Sequence, residues 1–505
     1  MYTYRQNVKQ VARHTMLKRA VEMLTIERSE ACCVRRSYVR DLVDYFSQME
    51  ESNEKIEVEK IEGEYIRMWE NIHAQNTKPK RVDELTVCYL AGPEPENDFK
   101  ELISLGVLPN NIWAFESEKN TYLQALKSID STDFFQPKLI KTSIERFFEN
   151  TPKVFDIVYI DACASLISEQ HALRCISTMF RYHRLATPGV LITNFAEIRK
   201  NNSELLEEYV DLIAKYNIFK NYRDVVLVNK QQEIIFKNYY SQAVDVIRND
   251  FDTYYGDFIT SMVCNAGSIV VPTLRFANSP FLSSLCEIKP NENYVYQFTD
   301  VNTIKDNSFY KYIAVNKFLE QSGSKDKGIE RSNKLFQELS ANWSGYSLLS
   351  SFNTIYNLKE RGIGVSPKIC ETTKCFDEGR GMYQFLDKVT SRLFFDSVIN
   401  QLSCPMHFCT DKAKRLTYVA KGTRMYMDLM VFDECRYIYD WLPAIDQIRN
   451  AFSNYSWQYV FRFSLDGLVK QRLNYNNEYF FQGTVVHSSV QEFKAAELEK
   501  RIKIN

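Results

Sequence analysis

The run FDIVYIDA (155–162) ends on a carboxylate, Asp161, and the run GVLITNF (189–195) carries Asn194 near its end. A carboxylate at a strand end suits a general base or a group that orients a substrate. The run LTVCYL (85–90) leads into Ala91-Gly92-Pro93-Glu94-Pro95-Glu96-Asn97-Asp98. Pro93 and Pro95 have no N–H to offer a phosphate, and Glu94 and Glu96 would repel one. That loop argues against a pyrophosphate ligand such as NAD or FAD and tolerates a cationic one. Glu116 lies 24 residues beyond Gly92, near the offset at which an acid takes both hydroxyls of a ribose through its two oxygens.

Other chemistries find less support. The six histidines, at 14, 73, 171, 183, 407 and 487, form neither an HExxH motif nor a legible Ser–His–Asp set. No Walker loop is present. Twelve cysteines in a long chain with no signal-like N-terminus point to reduced thiols and a cytoplasmic setting. Cys370 and Cys375, with Cys404 and Cys409 about 30 residues on, make two loosely spaced pairs, and His407 lies inside the second. Four thiolates, or three with His407, would suit a closed zinc site; separate reduced thiols are the simpler reading. Cys32-Cys33 sits in a segment read as helical and is taken as packing, as is Cys163 just past Asp161.

These side chains need elements to hold them. Between 82 and 230, strand-like runs at 85–90, 111–115, 138–142, 155–160 and 189–195 alternate with helix candidates near 98–105, 119–129, 168–182 and 202–216. Continuous apolar strands separated by helices imply a parallel sheet covered on both faces. The expected class is α/β: a Rossmann-like, mostly parallel sheet flanked by helices. Glycine is scarce, 16 in 505 residues, and the only three in 82–230 (Gly92, Gly106, Gly189) fall at strand and helix junctions. Four regions are expected: helical 1–80, Rossmann-like 81–235, mixed and mainly helical 236–400, and α+β 401–505. The last contains a hairpin about Gly422, aromatic strands near WQYVFRF and a charged helix over 489–503.

The chain is 45% hydrophobic with a net charge of −1, so no global field draws it to nucleic acid or to an anionic membrane. No apolar run in the sequence approaches the roughly 18 residues of a membrane helix. Locally, residues 1–40 hold nine Lys/Arg against three acids, and 41–64 hold nine acids against two lysines. Arg13, Lys18, Arg35, Arg36 and Arg40 could meet phosphates; equally, the two halves could neutralise one another.

The order strand, Gly loop, helix, strand, acid, with SIERFF after the third strand, FDIVYIDA and TPGVLITNF, resembles the class I S-adenosylmethionine-dependent methyltransferases over 82–230. The first glycine loop is divergent. The resemblance implies S-adenosylmethionine held by Ala91, Gly92, Pro93, Glu116, Ser143, Ile144, Glu145 and Asp161, with Asp161 the catalytic candidate. Asp161 and Asn194 also resemble part of a Mg²⁺ set, but Thr193 stands where its neighbouring acid would be. The absence of a DPPY-like tetrapeptide after FDIVYID speaks against amino-methylation of DNA bases. The acceptor is expected to be nucleic acid, through the basic N-terminal helices, narrowly ahead of a protein or small molecule. The alternative is an inactive methyltransferase-like scaffold that docks protein partners in a larger assembly.

Overall fold

The computed structural model describes residues 6–51, 53–130, 138–199, 202–221, 230–280, 308–321, 327–341, 348–356, 401–439 and 498–505, with isolated positions elsewhere. At its centre is a nine-stranded sheet. Five strands, β1 (Val87–Leu90), β2 (Ile112–Phe115), β3 (Lys138–Ile140), β4 (Phe155–Asp161) and β5 (Leu185–Ala196), run parallel in the order β3-β2-β1-β4-β5. The strand order reverses between β1 and β4, so a crevice opens at their carboxyl ends. This is the α/β class that the alternating runs imply.

The sheet continues past the parallel block. β6 (His407–Phe408), β7 (Lys414–Ala420) and β8 (Thr423–Asp433) come from the C-terminal region, and β8 pairs antiparallel with β5 from Gly189↔Phe432 to Ala196↔Met425. Lys421 and Gly422 join β7 to β8, both at positive φ, the conformation a two-residue hairpin of the primed type requires. β9 (Asn474–Tyr475) and β10 (Glu478–Tyr479) form a separate ribbon. β11 (Ile502–Lys503) pairs parallel with β7, so the described end of the expected 489–503 helix is extended instead. Most of the aromatic run 455–461 lies outside the described residues.

Alternation along the strands sends side chains to two cores. Val87, Tyr89, Ile157, Tyr159 and Ile192 face one cluster with α1 (Asn7–Leu24), α2 (Tyr38–Ser47), α4 (Gly63–Asn76) and α5 (Glu96–Ser104). Cys88, Val158, Ile160, Leu191 and Phe195 face the other, with α7 (Ile144–Asn150), α8 (Ala172–Arg181), α9 (Ser203–Asn221) and α11 (Phe251–Asn265). α3 (Asn53–Glu59) links α2 to α4, α6 (Lys119–Asp130) joins β2 to β3, and α10 (Lys230–Asn249) packs on α9. The N-terminal helices therefore cover one face and the mid-chain helices the other. Lys80, in the basic segment after α4, donates to buried Asp156 at 2.6 Å and fixes that end of β4.

α11 runs through a π-turn (Ala266–Val270) into α12 (Val271–Ala277). This 27-residue stretch, Phe251–Ala277, is long and apolar enough to cross a membrane, but 94% of its most apolar window is buried in the fold. It is a core helix: the Gly267 carbonyl accepts from Met406 N at 3.0 Å, and a Cβ at Gly267 would press on the Phe180 ring.

Candidate active site

The crevice at the carboxyl ends of the parallel strands is a cavity of about 540 Å³, within the range of small-molecule sites. Ala91, Gly92 and Pro93 line it after β1, Glu116 after β2, Ser143 and Ile144 after β3, and Asp161 after β4. Gly92 has φ +59° and nothing within 4 Å of the position a Cβ would take; the left-handed turn favours glycine and leaves room for a ligand against the backbone. Glu116 Oε1 accepts from Glu118 N at 2.8 Å. Ser143 caps α7 by accepting from Arg146 N. Glu145 is turned away from the cavity: both its oxygens accept from Arg174, at 2.7 and 3.1 Å.

The acids of the first loop have protein partners, but only Asp98 is paired with a cation. Glu96 accepts from Ser128 Oγ at 2.7 Å, and buried Asp98 accepts from Arg13 Nε at 2.5 Å. Burial raises the Asp98 carboxyl above its ordinary range against the pull of Arg13. Glu94, which accepts from Asn97 at 3.0 Å, stays on the cavity wall.

At Asp161 widely separated parts of the chain meet. Lys9 Nζ, from α1, lies 2.7 Å from Asp161 Oδ2. Asn194 Nδ2 donates to Asp161 Oδ1 and to the Tyr418 hydroxyl, each at 2.8 Å, and Cys163 Sγ donates to Oδ1 at 3.1 Å. Burial would raise the Asp161 carboxyl, but the Lys9 charge and these donors outweigh it and hold it below the usual carboxylate range. Burial works against the Lys9 ammonium too, and Asp161 more than restores it, so Lys9 stays cationic. Burial, then the Asp161 charge, push the Cys163 thiol up to about 12. It stands at the cavity wall as a thiol, not as a thiolate nucleophile. With both Asp161 oxygens occupied by donors, one of them an ammonium, the pair with Asn194 is poorly disposed toward Mg²⁺.

A second cavity, about 1000 Å³, lies on the other side of this network. Gln6, Ala164, Glu197, Arg199, Tyr418 and Lys421 are among its lining residues, and Lys9 and Cys163 border both spaces. The arrangement is of two compartments joined at a cation held by a carboxylate.

The sequence pattern located Asp161 and Asn194 but missed Lys9 and Tyr418, which belong to elements far along the chain from β4. A signal for Lys9 exists: Lys9 and Arg13 stand one turn apart on α1, among the buried Ala12, Met16, Leu17 and Ala20, so two cations enter an otherwise apolar face. The other N-terminal bases serve mainly within the fold. Lys18 is within 3.9 Å of Glu22, Arg35 pairs with Asp411 at 3.1 Å and Arg40 with Glu70 at 2.9 Å. Cys370 and Cys375 lie outside the described residues. Of their expected partners, Cys404 Sγ sits 3.3 Å from Arg436 Nη1, while Cys409 Sγ sits 3.2 Å from Cys33 Sγ. Cys32-Cys33 falls in turns between α1 and α2, not in a helix.

No protein-family model and no curated protein matches the sequence. Solved structures similar to part of the chain are methyltransferases, at low coverage and low TM-score. A protein named as a methylase, from Haemophilus influenzae, is 15% identical over 23% of this chain and 66% of its own, with a TM-score of 0.20. An S-adenosylmethionine-dependent methyltransferase from Clostridium acetobutylicum is 14% identical over 31% and 57%, at 0.18. Magnesium protoporphyrin IX methyltransferase from Synechocystis, with bound SAH, is 15% identical over 33% and 70%, at 0.19. The chain thus spans just under two thirds of the first of these and less of the second.

Proposed function

We propose that this protein is an S-adenosylmethionine-dependent methyltransferase whose acceptor occupies the larger cavity, with nucleic acid the favoured acceptor class. The observation that carries the reading is the Lys9–Asp161 pair at the junction of two cavities, one of them at the strand-order reversal of the parallel sheet. S-adenosylmethionine supplies an electrophilic methyl group on a cationic sulfonium. Gly92 leaves the space, Glu116 offers the ribose acceptor, and Ser143 and Ile144 border the region for the base. Glu94, on the cavity wall, suits a ligand carrying positive charge.

Asp161, ionised and saturated with donors, orients groups rather than taking a proton. An acceptor atom gives electron density to the incoming methyl group, so Lys9 acts before that step. Its fixed positive charge, preorganised away from bulk water, would favour the deprotonated, nucleophilic form of an acceptor oxygen or nitrogen, whose proton leaves to solvent through the larger cavity. The Tyr418 hydroxyl, receiving from Asn194, has its own proton to donate toward the acceptor. Arg199 and Lys421 on the wall of the larger cavity supply positive charge for a phosphate-bearing acceptor.

Calorimetry with S-adenosylmethionine and SAH tests the cofactor assignment. Binding in the micromolar range is expected, and Glu116→Ala should weaken it about tenfold, the equivalent of one lost charge-assisted hydrogen bond. No heat with either compound would leave the scaffold reading. For the acceptor, affinity for single-stranded RNA or DNA should fall as salt rises; affinity indifferent to salt would remove nucleic acid.

A further inference from the structure

Far from this site, the segment between α1 and α2 crosses the other end of β8. Cys33 N donates to Asp433 Oδ2 at 2.8 Å, and Val34 N donates to the Tyr437 hydroxyl at 2.9 Å. Asp433 is next to Phe432, which pairs with Gly189 in the first half of β5, whereas Asn194 and Asp161 stand toward the far end of their strands. The cluster is therefore distinct from the cavities described above.

The ligand atoms of Cys33, Asp433 and Cys435 all lie within 4.8 Å of one another, and all three residues are buried. Cys435 Sγ is 3.8 Å from Asp433 Oδ2, and Cys409 Sγ is 3.2 Å from Cys33 Sγ. Zinc bonded to sulfur at about 2.3 Å in a tetrahedron requires sulfurs about 3.8 Å apart. The spacing of Cys33, Asp433 and Cys435 is thus close to what one ion would need, and Cys409, in contact with Cys33, would complete the set by a shift that widens the 3.2 Å Cys33–Cys409 separation to about 3.8 Å. Three buried thiols gathered around a buried carboxylate are otherwise an odd choice for a core, where apolar side chains would pack without a charge to compensate.

The surroundings suit a metal as well. Asp433 Oδ1 accepts from Thr187 Oγ1 at 2.8 Å and Cys435 N at 3.0 Å, and Oδ2 accepts from Cys33 N at 2.8 Å and the Tyr437 hydroxyl at 2.9 Å. None of these donors is a charged group, so the rotatable Tyr437 hydroxyl can yield Oδ2 to an ion while the contacts on Oδ1 orient the carboxylate behind it. Arg28 is 6% exposed, and its Nε and Nη1 have no hydrogen-bond partner among the described residues. Its Nη2 reaches the carbonyl of Thr187 at 3.5 Å, next to the carboxylate. Three thiolates and a carboxylate around Zn²⁺ carry a net charge of about −2, which the buried guanidinium would partly offset.

We propose that Cys33, Cys409, Asp433 and Cys435 form a closed structural zinc site that ties the segment after α1 to the end of β8. Each thiol gives its proton to solvent as it binds, so one Zn²⁺ enters and three protons leave. Four protein ligands leave no open position, which makes the site a staple and not a catalytic centre.

The full chain, expressed with zinc and purified without chelator, should carry about one zinc per chain. Cys33→Ser and Cys435→Ser should each drop this to about a tenth or less, while Cys264→Ser, at a buried thiol elsewhere, should retain it. Cobalt in place of zinc should give strong thiolate-to-metal absorption. Should the serine variants fail to fold, the wild-type chain still decides: Cys33, Cys409 and Cys435 should resist alkylation until a chelator strips the metal. A folded chain that takes up no zinc at equimolar metal overturns the proposal. So does zinc undiminished in both serine variants, or a Cys33–Cys409 disulfide found by peptide mapping.

Discussion

Lys9 and Asp161 are ion-paired with side chains only 14% and 12% exposed, so each depends on the other for its charge. Because the folded Asp161 carboxyl lies below its ordinary value, its contribution to stability is complete above that ordinary value and fades as pH falls through the lower, folded one. Lys9 has the opposite sign: its contribution is complete below the ordinary lysine range and is lost only at strongly alkaline pH. Removing the cation with Lys9→Met leaves a buried carboxylate whose remaining donors are Asn194 and Cys163. Urea denaturation should show a loss of about 3 kcal/mol or more at pH 7, narrowing as pH falls below the ordinary carboxylate range, where Asp161 takes up a proton in the variant and in the unfolded chain while the wild-type pair still holds it ionised. A loss of equal size at both pH values would mean that packing, not charge, is what Lys9 supplies. Methyl transfer by Lys9→Met should fall at least about 100-fold, while SAH affinity changes little. Asp161 was legible because a strand of unbroken apolar residues ends on it. Lys9 was not, because nothing local to α1 says which carboxylate its side chain will meet.

The elements of the parallel block were the most legible, since most of its strands are apolar runs bounded by polar turns and buried on both faces; β3, at the sheet edge, is only half-buried. β5 departs from its expected span, beginning at Leu185 and not at Gly189. Pairing with β4 begins at Phe155↔Leu185 and resumes at Ile157↔Val190 across a register shift, so the strand folds tightly on itself there: a Cβ at Gly189 would clash with the Ala186 carbonyl and stand 2.8 Å from Leu185 Cγ. Gly189→Ala should lower stability by about 1–3 kcal/mol, the usual cost of overpacking, seen as a lower thermal midpoint. An unchanged midpoint would show that the backbone yields freely at this point. The hairpin about Gly422 was also legible from its turn chemistry, but the partner of that hairpin was not. Strand pairing between β5 and β8 joins residues more than 200 positions apart, and apolar periodicity carries no record of such distances.

On the scale of the molecule, the sheet is shared between regions that look separate in sequence. β8 covers the edge of β5, α1 and α2 cover one face, and Arg501, beside β11, donates to fully buried Asp428 on β8 at 2.8 Å. A fragment of residues 82–235 would expose a long, apolar β5 edge together with the part of one face that α1, α2 and α4 cover, a template for aggregation. Expressed alone it should be markedly less soluble than the full chain; a monomeric, cooperatively folding fragment would refute this account. The same layout bears on timing. Lys9 precedes Tyr418 by about 400 residues, yet both stand at one junction. At about 5–20 residues per second, a ribosome needs roughly 20–80 s to connect them. Throughout that interval Lys9 and the part of α1 that meets β7 and β8 lack their native partners, so nascent chains are natural clients for chaperones, and the junction closes only after β7 and β8 have been made.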